Sequence, residues 1–181
     1  HSFAPNNDLF GNPSTSGYFK SAGRIVMDNS GNIITTGHTS QSTQAFYGTT
    51  SYFGFVVNKF NRAGTQLWSD TIMDASSYAL STGNSNFAFK YLNLITDSSN
   101  NVIVCGGFHV GGPPWTDTID FDPGPGTALY ISGPGLSEPG DNFLLKLDSN
   151  GHYLWDYQGG LLCEADNHLA TVGDEIYYNG L

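Results

Sequence analysis

One hairpin-like pattern occurs twice in this chain without a gap. Phe55-Val56-Val57-Asn58-Lys59-Phe60-Asn61-Arg62-Ala63-Gly64-Thr65-Gln66-Leu67-Trp68 returns as Asn142-Phe143-Leu144-Leu145-Lys146-Leu147-Asp148-Ser149-Asn150-Gly151-His152-Tyr153-Leu154-Trp155. Lys59 falls on Lys146, Asn61 on Asp148, Gly64 on Gly151 and Trp68 on Trp155, always 87 residues apart (59 to 146, 68 to 155). In both copies an apolar run leads into a polar, Gly-containing turn and then into a second run ending in Trp. This is the signature of strand, tight turn and strand.

A second pattern repeats as well. Ile25-Val26-Met27-Asp28-Asn29-Ser30-Gly31-Asn32-Ile33-Ile34 returns in Leu94-Ile95-Thr96-Asp97-Ser98-Ser99-Asn100-Asn101-Val102-Ile103, with Asp28 on Asp97, Asn32 on Asn101 and Gly37 on Gly106, 69 residues apart (28 to 97). The two spacings differ by 18 residues (87 minus 69), so the second copy carries an insertion within 109–140. A partial third copy, Leu169 to Gly180, places Ile176 on Ile33 and Gly180 on Gly37. Self-similarity of this kind marks a repeat architecture. The plan read from it is an N-terminal arm (1–22), a first repeat (23–72), a Ser/Asn-rich connector (73–90), a second repeat (91–160) and a partial third (161–181).

Composition agrees with an all-β chain. Charged residues make up only 12%, while Gly, Tyr, Phe, Ser, Thr and Asn are abundant, which suits short strands and many turns. The formal charge is -10, which argues against nucleic acid and anionic membranes as partners. It is compatible with divalent cations, and equally with plain solubility. No apolar run reaches the length of a membrane-spanning helix.

Four short strands per unit, a Gly closing the second strand and a Trp in the last describe a propeller blade. "DNSGNIITTGHTS" followed by "FVVNKFNRAGTQLWSDTI" resembles the SBBP β-propeller repeats of secreted bacterial proteins, and Asp120-Phe121-Asp122-Pro123-Gly124 resembles the DFDPG segment found in such repeats from Bacteroidota-like surface proteins. The resemblance covers most of 23–180. It implies about two and a half four-stranded antiparallel blades, incomplete as a closed propeller, on an extracellular or cell-surface protein. It says almost nothing about activity, because one fold hosts many functions.

The candidate chemistry is sparse. Asp117, Asp120 and Asp122 crowd a Gly/Pro-bent loop that could hold calcium, or could cap local N–H groups instead. Asp28, Asp97 and Asp148 open hairpin turns, where local turn chemistry is the better account. His38 and His109 each follow a strand-closing Gly segment, but aligning the repeats does not superpose them. Trp115, beside Pro113 and Pro114, is a candidate ligand contact or a lid over the insertion's own base. Cys105 and Cys163 form either one disulfide or two separate buried thiols. Gly-x-Ser-x-Gly, zinc and phosphate-loop patterns do not occur, and no residue is assigned a catalytic role.

The expected function is therefore extracellular, non-catalytic and structural or binding. Incomplete blades would self-associate through exposed strand edges into an oligomer or filament. The alternative is a piece of a larger secreted propeller, completed by further blades, that binds carbohydrate or a surface protein. A propeller hydrolase or lyase is a third reading. It would require carboxylates converging across a cleft.

Overall fold

The computed structural model describes residues 23–45, 48–73, 88–109, 118–131, 141–159 and 169–178. Every regular element among them is a strand. In chain order these are β1 (Ile25–Met27), β2 (Ile33–Ala45), β3 (Gly48–Phe60), β4 (Gln66–Met73), β5 (Ala88–Thr96), β6 (Val102–His109), β7 (Thr118–Asp120), β8 (Leu129–Ile131), β9 (Asp141–Leu147), β10 (Tyr153–Gly159), β11 (Leu169–Val172) and β12 (Glu175–Tyr178). Strands β1-β2-β3-β4 form one antiparallel sheet, and β5-β6-β9-β10 form a second with the same meander order. Strands β7 and β8 pair with each other within the insertion, and β11 pairs with β12. The arm, most of the connector and part of the insertion, including Trp115 and Asp117, lie outside the described residues, as does Cys163.

Four hairpins share one turn. In 28–32, 61–65, 97–101 and 148–152 the first residue's C=O accepts the N–H of the fourth, and its N–H donates to the C=O of the fifth, at 2.7–3.1 Å. The first side chain, Asp or Asn, also accepts the N–H groups of the third and fifth residues. The fourth residue has positive φ: Gly31 at 79°, Gly64 at 82°, Asn100 at 65° and Gly151 at 93°. A type I turn followed by one left-handed residue matches the strand twist, and only Gly or Asn enters that region cheaply.

In the first hairpin of each sheet the turn carboxylate does more. Asp28 Oδ2 accepts Asn32 Nδ2 at 3.0 Å and Lys59 Nζ at 2.9 Å. Asp97 Oδ2 accepts Asn101 Nδ2 at 2.9 Å and Lys146 Nζ at 2.8 Å. Each lysine lies on the third strand of its sheet, so the pair fastens the first turn to the second hairpin. Both carboxylates are fully shielded from solvent. Burial pushes their carboxyls up, but hydrogen bonds from Asn32 and Lys59, and from Lys146 and Asn101, outweigh it and hold both below the usual carboxylate range.

The two sheets pack face to face. Ile34, Phe55, Val57 and Ile72 of the first meet Leu94, Val102, Val104, Phe143, Leu145 and Leu147 of the second. Alternation along each strand places these on single faces. Four phenylalanines knit the centre. Phe55 stacks on Phe143 at 5.4 Å, Phe89 meets both edge-on, and Phe121 from the insertion lies 4.9 Å from Phe143. Gly106 sits beneath this cluster, where a Cβ would press on the Phe143 ring and on Leu92. The insertion thus contributes Ile119 and Phe121 to the core.

One boundary differs from the sequence reading, in which the second strand closes at Gly37 and the third opens at Phe55. The β2–β3 ladder continues beyond that point, from Gly37↔Val56 to Ala45↔Gly48. Its Ser/Thr-rich sequence lacks the apolar alternation that flags a strand, yet Thr and Tyr favour extended backbone.

The buried ion pair yields a test. Lys59→Met strands the Asp28 carboxylate and is expected to lower unfolding free energy by about 3–5 kcal/mol, with partial recovery in the Asp28→Asn/Lys59→Met double variant. Urea denaturation measures both. A loss below about 1 kcal/mol would be the behaviour of an exposed pair.

Candidate functional site

The most elaborate polar arrangement lies where one repeat meets the next. Register puts Lys59, Trp68 and Asp70 on the same face as Phe55 and Val57, since Trp68 pairs with Lys59, Asp70 with Val57 and Ile72 with Phe55. This face looks onto the second sheet. Lys59 Nζ and Trp68 Nε1 both donate to the Ser149 carbonyl, at 3.0 and 3.1 Å. Ser149 is the second residue of the 148–152 turn. Asp70 rests on Gly151 of the same turn, where a Cβ would collide with Asp70 Oδ2 and touch the Trp68 ring. One sheet thus recognises a hairpin turn of the next by two donors on one carbonyl and a close fit over a glycine.

The first-hairpin turns are also joined in series. Asn29 N–H donates to Asn100 Oδ1 at 2.9 Å, and its side chain donates to the carbonyls of Asp97 and Ser98. One repeat further on, Ser98 N–H donates to the Gly173 carbonyl at 3.3 Å, and the Ser98 and Ser99 hydroxyls donate to Asp174. Thr171 closes the contact through the Thr96 carbonyl at 3.0 Å. The residue after the turn Asp, Asn29 or Ser98, reaches the following turn each time.

Asp70 is the electrostatic outlier. Its Oδ2 is buried with no hydrogen-bond partner among the described residues. Burial pushes the carboxyl up to about 6, with the charge of His152 opposing and that of Asp148 adding. Asp148 is held low instead. Burial raises it, but the backbone and side chain of His152 and the N–H of Asn150 outweigh that.

The residues singled out from sequence are scattered. Asp120 Oδ1 accepts the N–H groups of Asp122 and Ala128, and Asp122 Oδ1 accepts that of Gly124. Both carboxylates therefore shape the bend that seats Phe121. Among the described residues no group of three or more His, Cys, Asp or Glu could hold a metal ion, and Asp117, the third acid of that loop, is not among them. Cys105 is buried and disulfide-bonded; the sequence contains one other cysteine, Cys163. His38 pairs across from Phe55 in the first sheet and His109 across from Ala88 in the second, so the two stand on different sheets. His152 bonds Asp148 at 2.9 Å, and Glu175 accepts the Tyr177 hydroxyl at 2.6 Å.

Sequence reasoning passed over Asp70 and the roles of both lysines. The signal for the lysines was present, since Lys59 and Lys146 recur at one repeat position within apolar strands of a chain holding only 6 basic residues. Asp70 carried no such signal, because Tyr157 takes its place in the second repeat. No protein-family model matches the chain, and neither a curated protein nor a solved structure matches it.

Two tests follow from this geometry. A carboxyl raised to about 6 in the folded state binds its proton more tightly there than in the unfolded chain, where it has the ordinary aspartate value of 3.8. Its contribution to stability is therefore greatest below pH 3.8 and declines as pH rises to about 6. Asp70→Asn removes that decline, so the variant should melt above wild type at pH 7.5 and lose the advantage near pH 4. Parallel melting curves across this range would contradict the assignment. Separately, Gly64→Ala and Gly151→Ala both pay for a left-handed backbone, about 1–2 kcal/mol. Gly151→Ala should lose more, because its methyl meets Asp70, and equal losses in denaturant would show that the joint yields.

Proposed function

We propose that the chain is an extracellular, non-catalytic structural or binding protein of the SBBP β-propeller type, built of blade-like sheets and acting through its surface by self-association. One observation carries this reading. Every large exposed hydrophobic residue among those described lies on a strand at the edge of its sheet: Ile25 and Met27 on β1, Leu67 on β4, Leu129 on β8, Leu154, Trp155 and Tyr157 on β10, Val172 on β11 and Tyr177 on β12. Proteins that stay apart usually blunt their edges with charge, proline or cover, and clustered apolar exposure marks contact surfaces.

Two further points support it. The repeat-to-repeat joint is made from turn carbonyls and side chains that recur along the chain, as expected of modular arrays whose units contact only their neighbours. A disulfide at Cys105 fits an oxidising compartment. In this reading the carboxylates are structural, and no residue carries out chemistry.

Sedimentation velocity over a concentration series, with negative-stain microscopy of the same samples, tests the proposal. Concentration-dependent oligomers or filaments are the expected result. A chain that stays monomeric up to roughly 1 mM, the concentration scale of very weak association, would sink it.

A further inference from the structure

The turn that the first sheet recognises is also the one with a chemically labile sequence. Four turns share one geometry, but the residue before the left-handed position is Ser30, Ala63 or Ser99 in three of them and Asn150 in the fourth. Asn150 precedes Gly151, and Asn-Gly occurs at one other place in the sequence, Asn179-Gly180. An Asn side chain can be attacked by the backbone nitrogen of the residue that follows it, which makes Asn a thermolabile residue. With Gly in that place no Cβ shields the nitrogen, and the backbone bends freely toward the attack.

The fold holds this reaction back. The Gly151 N–H donates to the Asp148 carbonyl at 3.1 Å, and the Asn150 N–H to Asp148 Oδ1 at 2.7 Å. Closing a ring on the side chain requires Gly151 N to give up its bond and Asn150 to rotate out of the type I conformation. Gly151 is buried, and the space over its Cα is taken by Asp70 Oδ2 and the Trp68 ring. One residue earlier, the Ser149 carbonyl is held by Lys59 and Trp68. Asn150 itself is exposed, so water reaches it. What restrains the reaction is the backbone on both sides, and that backbone is fixed by the contact between the two sheets. Local opening is the general gate for reactions at ordered backbone.

We propose that Asn150 is a deamidation site gated by the joint between the two sheets, and that its conversion keeps the joint from closing again. In the opened turn the Gly151 nitrogen gives its proton to hydroxide and bonds to Asn150 Cγ. The Cγ–Nδ2 bond breaks, and Nδ2 takes a proton from water and leaves as ammonia. Water then opens the succinimide. Attack at Cγ gives aspartate at position 150, and attack at the backbone carbonyl gives isoaspartate, whose main chain runs through the side-chain carbon. The net change is one water consumed and one ammonia released. Either product adds a negative charge beside Asp148 and Asp70, where like charge is unfavourable. Isoaspartate also lengthens the turn by one backbone carbon. Gly151 then no longer falls under Asp70, nor the Ser149 carbonyl between Lys59 and Trp68.

The test incubates the full chain at pH 7.5 beside a synthetic peptide of residues 145–155. Mass spectrometry of the digested chain follows the exchange of the amide NH2 for OH at position 150, and chromatography resolves isoaspartate from aspartate. Conversion is expected to be slower in the folded chain than in the peptide by about tenfold or more. Trp68→Phe, which removes one of the two donors to the Ser149 carbonyl, should speed conversion in the folded chain by about threefold or more. Urea below the unfolding transition should do the same without a substitution. Converted molecules should melt below unconverted ones. Asn150→Ser, the residue found at that place in two of the other turns, should keep its Tm through the same incubation, which sets aside any change at Asn179. Equal rates in chain and peptide, a rate indifferent to both Trp68→Phe and urea, or an unchanged Tm after conversion would each overturn the proposal. None of these readouts depends on self-association of the chain.

Discussion

Two buried ion pairs hold this architecture to its pattern. Asp28 with Lys59 and Asp97 with Lys146 each tie the first turn of a sheet to its third strand. A lone lysine or carboxylate in such a place would be strongly destabilising. It is tolerable here because each carboxylate accepts four hydrogen bonds at once, two from backbone N–H groups, one from an Asn side chain and one from the lysine. Turn geometry and ion pair are therefore one device. The turn pre-forms the acceptor, and the lysine fixes which strand may lie beside it.

The same lysine extends the device between units. Lys59 holds Asp28 in its own sheet and the Ser149 carbonyl in the next. Folding within a unit thus prepares the surface that receives the following one. Asp70, without a hydrogen-bond partner for Oδ2 and resting on Gly151, is the costly member of that contact. The second sheet carries the exposed Tyr157 at that repeat position.

Much of this was legible in the sequence, for a physical reason. The turn Asp, the left-handed Gly or Asn and the apolar alternation are local requirements, so each repeat records them at fixed spacing. Asp28, Asp97, Asn61 and Asp148 read as turn residues and act as turn residues. The ion pairs were half visible: both partners recur, but their pairing spans two strands and only the fold brings them together. The length of the β2–β3 hairpin was not legible, because Thr39 to Thr50 shows no alternation. Asp70 was not legible because its environment is made by a turn far along the chain. The acids of the insertion read two ways, since a bend that seats Phe121 and a metal loop draw on the same residues, and Asp120 and Asp122 accept local N–H groups at that bend.

The third hairpin departs from the others in its turn. Val172 pairs with Glu175 around Gly173 and Asp174 alone, and Gly173, at φ 63°, opens a two-residue turn. By register, Val172 and Glu175 occupy the places of Asp28 and Asn32, so an apolar side chain stands where the lysine-gripping carboxylate stands in the other two first hairpins. Each four-stranded sheet carries one such lock, so under mechanical load the β11–β12 hairpin is expected to part before either sheet.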